Sequence, residues 1–109
     1  MPSPGLPPGT LVLLILRVVS QGPLHGYAIA QKIRTLSSDQ LSVEEGSLYP
    51  ALQKALAQAW LKAEWTTSET GRRVRRYRIT AKGQKQLEVE QGDYQRMADA
   101  IAAILESTS

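Results

Sequence analysis

Leu11, Leu14, Ile15 and Val18 recur at i, i+3, i+4 and i+7, the spacing of one face of an α-helix. The pattern predicts a helix over residues 10–20, closed by Gln21-Gly22-Pro23. Val12, Leu13, Leu16 and Val19 cover its other sides. A helix apolar nearly all round is buried on more than one face. One face is therefore expected inside the domain and the other against a second subunit. A second helix, from about Gly26 to Leu36, carries Ile29, Ile33 and Leu36 as its stripe, with Ala30 beside them and Gln31, Lys32 and Arg34 outward. Ser42-Val43-Glu44-Glu45 has the form of a capping box, with Ser42 as N-cap and Glu45 reaching back. It predicts a third helix running to about Ala59, with Leu48, Leu52, Ala55 and Leu56 inward. Pro50 conflicts with that helix, because proline loses a backbone bond and clashes with the carbonyl four residues back. Two outcomes are open. Either one helix kinks near 46–50, where Gly46 yields, or a short turn precedes a helix that opens at Ser47.

The period then changes. Leu61, Ala63 and Trp65 alternate with Lys62 and Glu64, a strand with one buried face. Thr67-Ser68-Glu69-Thr70-Gly71 is turn chemistry, and a returning strand follows from Arg73 to Thr80. Tyr77 and Ile79 share one of its faces with Arg73 and Arg75, while Val74, Arg76 and Arg78 take the other. Two strands alone are marginal in water, so this hairpin must lean on the helices. Thr80 caps a long last helix, from about Ala81 to Leu105. Leu87, Tyr94 and Ile101 repeat in it at seven residues, with Met97 and Ile104 at offset positions. A narrow stripe of this kind suits pairing with another helix.

The expected fold is mainly α with a small β-hairpin. A winged helix-turn-helix spans residues 10–80, and a C-terminal dimerisation helix spans 81–109. Residues 1–9 hold four prolines and two glycines and read as a flexible lead. The long helix and the first helix are expected to form a homodimer through Leu11, Leu14, Leu87, Tyr94, Met97, Ile101 and Ile104.

Composition narrows the chemistry. A chain of 109 residues supports one domain with a modest core. It has no cysteine and a single histidine, His25. Thiolate nucleophiles, disulfides and cysteine-based metal sites are excluded, and one histidine makes no metal site. Glu44 and Glu45 are adjacent, so on a helix they diverge and form no catalytic pair. No enzyme, cofactor or metal is expected. The apolar run Leu11–Leu16 is too short to span a bilayer, and there is no signal peptide pattern. These readings point to a cytoplasmic protein.

Charge narrows it further. The net charge is only +3, but it is unevenly placed. Arg72, Arg73, Arg75, Arg76 and Arg78 crowd one run, while Asp39, Glu44 and Glu45 lie elsewhere. A strand that displays guanidiniums in fixed array suits the regular phosphates of a polyanion. The same pattern also serves as an edge strand guarded by charge against aggregation. The element order favours the first reading. Three helices followed by a two-stranded wing place the third helix in a DNA major groove and the wing against the backbone or minor groove.

Several segments resemble the PadR family of transcriptional regulators. Leu24-His25-Gly26-Tyr27-Ala28-Ile29 resembles its "HGY-x-I" opening, and Gly46-Ser47-Leu48-Tyr49-Pro50-Ala51-Leu52 its "G-S/T-L-Y-P-x-L" recognition segment. Trp60–Trp65 is similar to the strand that follows. Glu69-Thr70-Gly71-Arg72-Arg73 is similar to the wing, and Tyr77–Gly83 to "R-x-Y-x-I/L-T-x-x-G". The resemblance covers about residues 10–105, in order and at the right spacing. Ala59 departs from it, standing where the family has a glycine suited to a left-handed helix cap.

The resemblance implies a homodimeric, sequence-specific DNA-binding regulator, a repressor at a near-palindromic operator. The DNA-binding candidates are Tyr27, Ser47, Tyr49, Lys54, Arg72, Arg73, Arg75 and Arg76. Tyr27 is open between the core and DNA, and Tyr49 between DNA and the junction of helix and wing. Trp60 and Trp65 are open between core anchors and a small-molecule effector surface at a dimer pocket. A winged helix that binds an acidic protein surface is the alternative reading.

Overall fold

The structure, a computed structural model, describes residue 6 and residues 9–108. Most of the expected flexible lead, residues 1–9, lies outside the described residues. Helix α1 (Thr10–Ser20) is followed by a two-residue strand, β1 (Leu24–His25), and by α2 (Gly26–Leu36). Helix α3 (Glu45–Ala57) leads into the wing strands β2 (Leu61–Thr67) and β3 (Arg73–Ile79), and α4 (Ala81–Leu105) closes the chain.

Helix α1 is the hub. Ile15, Leu16 and Val19 are buried, as are Val12 and Val18, and α1 touches α2, α3, α4 and β3. Its all-round apolar character is therefore largely met within one domain. Leu11 and Leu14 are half-buried and pack against the same core. Ile29 and Ile33 of α2 and Leu48, Leu52 and Ala55 of α3 complete the core from the helical side. Leu61 and Tyr77 close it from the sheet. Leu36, expected in the α2 stripe, is exposed at that helix's last turn.

Three expectations are corrected. The sheet has three strands, not two, in the order β1-β3-β2. Leu24 pairs with Tyr77 and His25 with Arg76, both antiparallel. The wing is thus tied by backbone pairing to β1, the segment between α1 and α2, as well as to the helices by side chains. The second correction concerns α3. Its N-cap is Glu44, with no side-chain cap bond, rather than Ser42. Val43 packs against the core, which holds residues 41–44 out of the helix until Glu45. The chain then stays helical through Pro50. The lost bond to the Gly46 carbonyl is offset by burial of Leu48 and Leu52 on either side of the proline. The third correction is Leu87. Assigned to the dimer seam, it is 5% exposed and belongs to the domain's own core, because α4 begins against α1.

Helix α3 ends at Ala57, two residues before the expected point, in a Schellman arrangement. The Trp60 amide donates to the Ala55 carbonyl at 2.9 Å and the Ala59 amide to Leu56 at 3.0 Å. Ala59 itself holds φ at +60°. The left-handed cap forms although the residue is not glycine, since Trp60 and Leu61 must turn back onto the core. An L-residue there costs about 1–2 kcal/mol. Ala59→Gly is expected to recover part of this. Glycine's greater freedom in the unfolded chain offsets the rest, leaving a net gain of about 0.5–1 kcal/mol. Thermal unfolding should shift up by roughly 3–6 °C. A lower midpoint would show that the turn is not under strain.

Candidate functional site

Strand alternation sorts the wing arginines onto two faces, and the register fixes their neighbours. Trp65 lies opposite Arg75, Thr67 opposite Arg73 and Ala63 opposite Tyr77. On this face the Arg73 guanidinium carbon sits 5.0 Å from the centre of the Trp65 ring. The Arg75 carbon sits 5.9 Å from the centre of Tyr77. Both are cation–π distances. Burial pushes the Tyr77 hydroxyl up; the Arg75 charge opposes this, and Tyr49 adds to the rise.

The other face has a different chemistry. Glu64 lies opposite Arg76 and accepts from its Nε at 3.0 Å and its Nη2 at 2.5 Å. Arg78 adds a contact at 3.4 Å. The bonds from Arg76, then from Arg78, hold the Glu64 carboxyl below the usual carboxylate range. This bracing is present at neutral pH and is lost as pH falls through that lowered value. The pair is solvent-exposed, so its effect on stability is small.

The wing turn runs from Ser68 to Arg72. The Ser68 amide donates to the Arg72 carbonyl at 2.8 Å, and the Arg72 amide donates back to the Ser68 hydroxyl at 3.2 Å. Gly71 supplies the positive φ, +84°, that closes the turn. Arg72 is exposed beside it.

An open cleft of about 610 Å³ separates the aromatic face of the wing from α2 and α3. It brings together Tyr27, Tyr49, Trp65, Arg73 and Arg75. His25 and Glu45 also line it, although the sequence assigned neither to a site. Ser47 and Lys54 are exposed on α3 outside that lining, and Trp60 is half-buried against the core. The two tryptophans are thus separated. Trp65, read as part of a buried strand face, is 60% exposed. Among the described residues no group of three or more His, Cys, Asp or Glu side chains could hold a metal. No helix there is long and apolar enough to cross a membrane.

The arrangement is a three-helix unit with a basic wing beside its third helix. A family model described as the transcriptional regulator PadR-like family matches residues 15–89. This chain belongs to that family. PadR-like proteins are transcriptional regulators rather than enzymes, and the span of the match includes both the helical unit and the wing. A PadR-like transcriptional regulator from Bacillus cereus has a similar structure, with 27% identity and a TM-score of 0.77. The similarity covers 91% of this chain and 94% of that one. A transcriptional regulator from Clostridium thermocellum shares the fold at a TM-score of 0.82, with 24% identity over 90% of this chain and 95% of its own. A PadR family regulator from Eggerthella lenta is 27% identical, with a TM-score of 0.76, covering 92% of this chain and 85% of that one.

The PadR-like motif that ends in Gly83 has a physical reason here. A Cβ on Gly83 would stand 2.1 Å from the Trp60 carbonyl oxygen. Thr80 binds the same junction. Its hydroxyl donates to the Ala59 carbonyl at 2.6 Å and accepts from the Gly83 amide at 2.9 Å, and its amide donates to Trp60 at 3.0 Å. These contacts set where the wing leaves the helical unit.

Proposed function

We propose that this PadR-like chain is a homodimeric repressor that binds a near-palindromic operator. Helix α3 would enter the major groove, and the wing would lie on the flanking backbone or minor groove. The observation that carries this reading is the pair Arg73 and Arg75. Both stand on aromatic rings, and neither has an acidic partner among the described residues. Their N–H donors are free for phosphate. Ser47, Tyr49 and Lys54 on α3, with Tyr27 on α2, extend the same contact surface, and Arg72 extends it at the turn. Arg76 has a lesser part, because Glu64 already engages it.

The test is binding to random duplex DNA over a range of salt. If each wing neutralises about three phosphates, the two wings contribute a slope near −5 in log affinity against log salt. Absence of binding even at low salt would favour the second reading, a winged helix that docks its basic wing on an acidic protein surface. The guanidiniums of Arg73 and Arg75, which have no acidic partner among the described residues, and the hydroxyls of the exposed Tyr27 and Tyr49 favour nucleic acid, whose phosphates accept hydrogen bonds at regular spacing.

The dimer is supported by the far half of α4. Tyr94, Met97, Ile101 and Ile104 are 55%, 62%, 48% and 74% exposed. Contiguous apolar area of this kind marks an association surface. No residue beyond Leu87 in α4 is buried, although that stretch runs for about 27 Å. Paired α4 helices would set two recognition helices about 34 Å apart. Tyr94→Glu with Ile101→Glu is expected to convert the dimer to a monomer in sedimentation velocity. A dimer that persists would place the seam elsewhere. An effector is part of the proposal only through Trp65, which lines the cleft between the wing, α2 and α3, since Trp60 is taken up by the core.

A further inference from the structure

We propose that Trp65 is a positioning residue for nucleic-acid binding, its indole face holding the Arg73 guanidinium in place while leaving the N–H donors of that group free. The proposal rests on the reading of the wing as a DNA-binding surface.

An arginine can be held still in two ways. A carboxylate fixes it by hydrogen bonds, and those bonds consume the donors that a phosphate would use. Glu64 does this in part, taking two of the five donors of Arg76 and one of those of Arg78. An aromatic face fixes it by contact with the flat of the guanidinium, and the donors, which lie in the plane, point outward unspent. Arg73 is held in this second way, 5.0 Å from the Trp65 ring centre. The wing therefore separates its cations into one pair that shares a single carboxylate and one pair with no acidic partner among the described residues. A long, freely rotating side chain loses rotamer freedom when it binds. A prearranged one loses less, so affinity rises with no added charge.

The packing of the wing points the same way. Leu61 and Tyr77 are buried, and Ala63 and Ile79 are half-buried against the core, so the apolar core ends at the level of Tyr77 and Ala63. Trp65 lies one rung further out, 60% exposed. A tryptophan there adds little to the core and exposes a large apolar surface. Its described contact is the guanidinium of Arg73. Arg75 on Tyr77 forms the next rung inward, but Tyr77 also belongs to the core. Trp65 is thus the ring that can be changed without dismantling the domain.

The experiment is a double-mutant cycle on the full chain, read as affinity for random duplex DNA at four or more salt concentrations. Trp65→Leu is expected to weaken binding about 5–30-fold in a dimer that carries two such pairs. Trp65→Phe, which keeps a ring, should lose less. The salt slope of both should match the parent, because the number of charges is unchanged. In an Arg73→Ala background, Trp65→Leu should change affinity less than twofold. Additive losses in the cycle, a Phe variant as weak as Leu, or a slope altered as much as by Arg73→Ala would each overturn the proposal. If Trp65→Leu does not fold, as judged by thermal melting, the cycle with Trp65→Phe decides by the same criterion of additivity. A parent protein that binds no duplex DNA at low salt fails earlier, at the reading of the wing. Additivity in a protein that does bind fails at Trp65 alone.

Discussion

Gly83→Ala is expected to lower the thermal midpoint by more than 10 °C. Helix propensity alone points the other way. Gly83 is the third residue of α4, and alanine is favoured over glycine inside a helix by about 1 kcal/mol. The tertiary environment reverses the sign. An added Cβ would lie 2.1 Å from the Trp60 carbonyl oxygen, 2.9 Å from its carbon and 2.8 Å from Ile79 Cγ1. Ile79 could turn aside, but the Trp60 carbonyl cannot. That oxygen accepts from the Thr80 amide, and Trp60 itself closes the α3 turn through its amide. Relief requires α4 to move away from the α3–β2 junction, which would disturb Leu87 in the core. Overpacking of this kind costs about 3 kcal/mol, equivalent to roughly 12–24 °C for a domain of this size. Differential scanning calorimetry decides it. A midpoint equal to or above the parent's would mean that α4 does not press on that carbonyl.

Replacing Arg73 and Arg75 together by alanine should reduce DNA affinity by a factor on the order of 10²–10³, if each of the four contacts proposed for a dimer contributes about 1 kcal/mol. The salt slope should become shallower by about 4. The informative comparison is Arg76→Ala with Arg78→Ala, which removes the same formal charge. Those two already share Glu64, and removing them leaves that carboxylate unneutralised. If only formal charge mattered, the two double variants would bind alike and shift the slope equally. The structure leads to a larger loss for Arg73 and Arg75. Equal losses in gel-shift titrations at matched salt would count against the division of the wing into two faces.

Much of this organisation was legible in the residues. The apolar repeat of α1, the stripe of α2 and the Thr80 cap of α4 correspond to observed elements because each pattern runs over many residues and is governed by local geometry. Strand β1 was not legible, since two residues show no period and their pairing depends on Tyr77, more than fifty positions away. The Ser-x-x-Glu signal at Ser42 was legible but misleading. Whether it opens a helix depends on whether Val43 is free, and Val43 is drawn to the core. Alternation grouped Arg73 and Arg75 with Tyr77 correctly. It could not supply the clasp of Glu64 on Arg76, because that register is set by the length and hydrogen bonding of the Ser68–Arg72 turn. Leu87 was misassigned because a heptad stripe does not tell which of its turns faces the same chain and which faces outward.

The Glu64 clasp bears on how a DNA-binding protein finds its site. On the proposed reading, every guanidinium left free on the wing would bind any stretch of duplex, and a genome offers on the order of 10⁶ or more competing stretches. A wing with all five arginines unopposed would linger on each of them and slow its own search. If the wing grips DNA as proposed, Glu64 restrains two of the five, which would shorten each non-productive stop and leave the remaining grip for a site where α3 also fits.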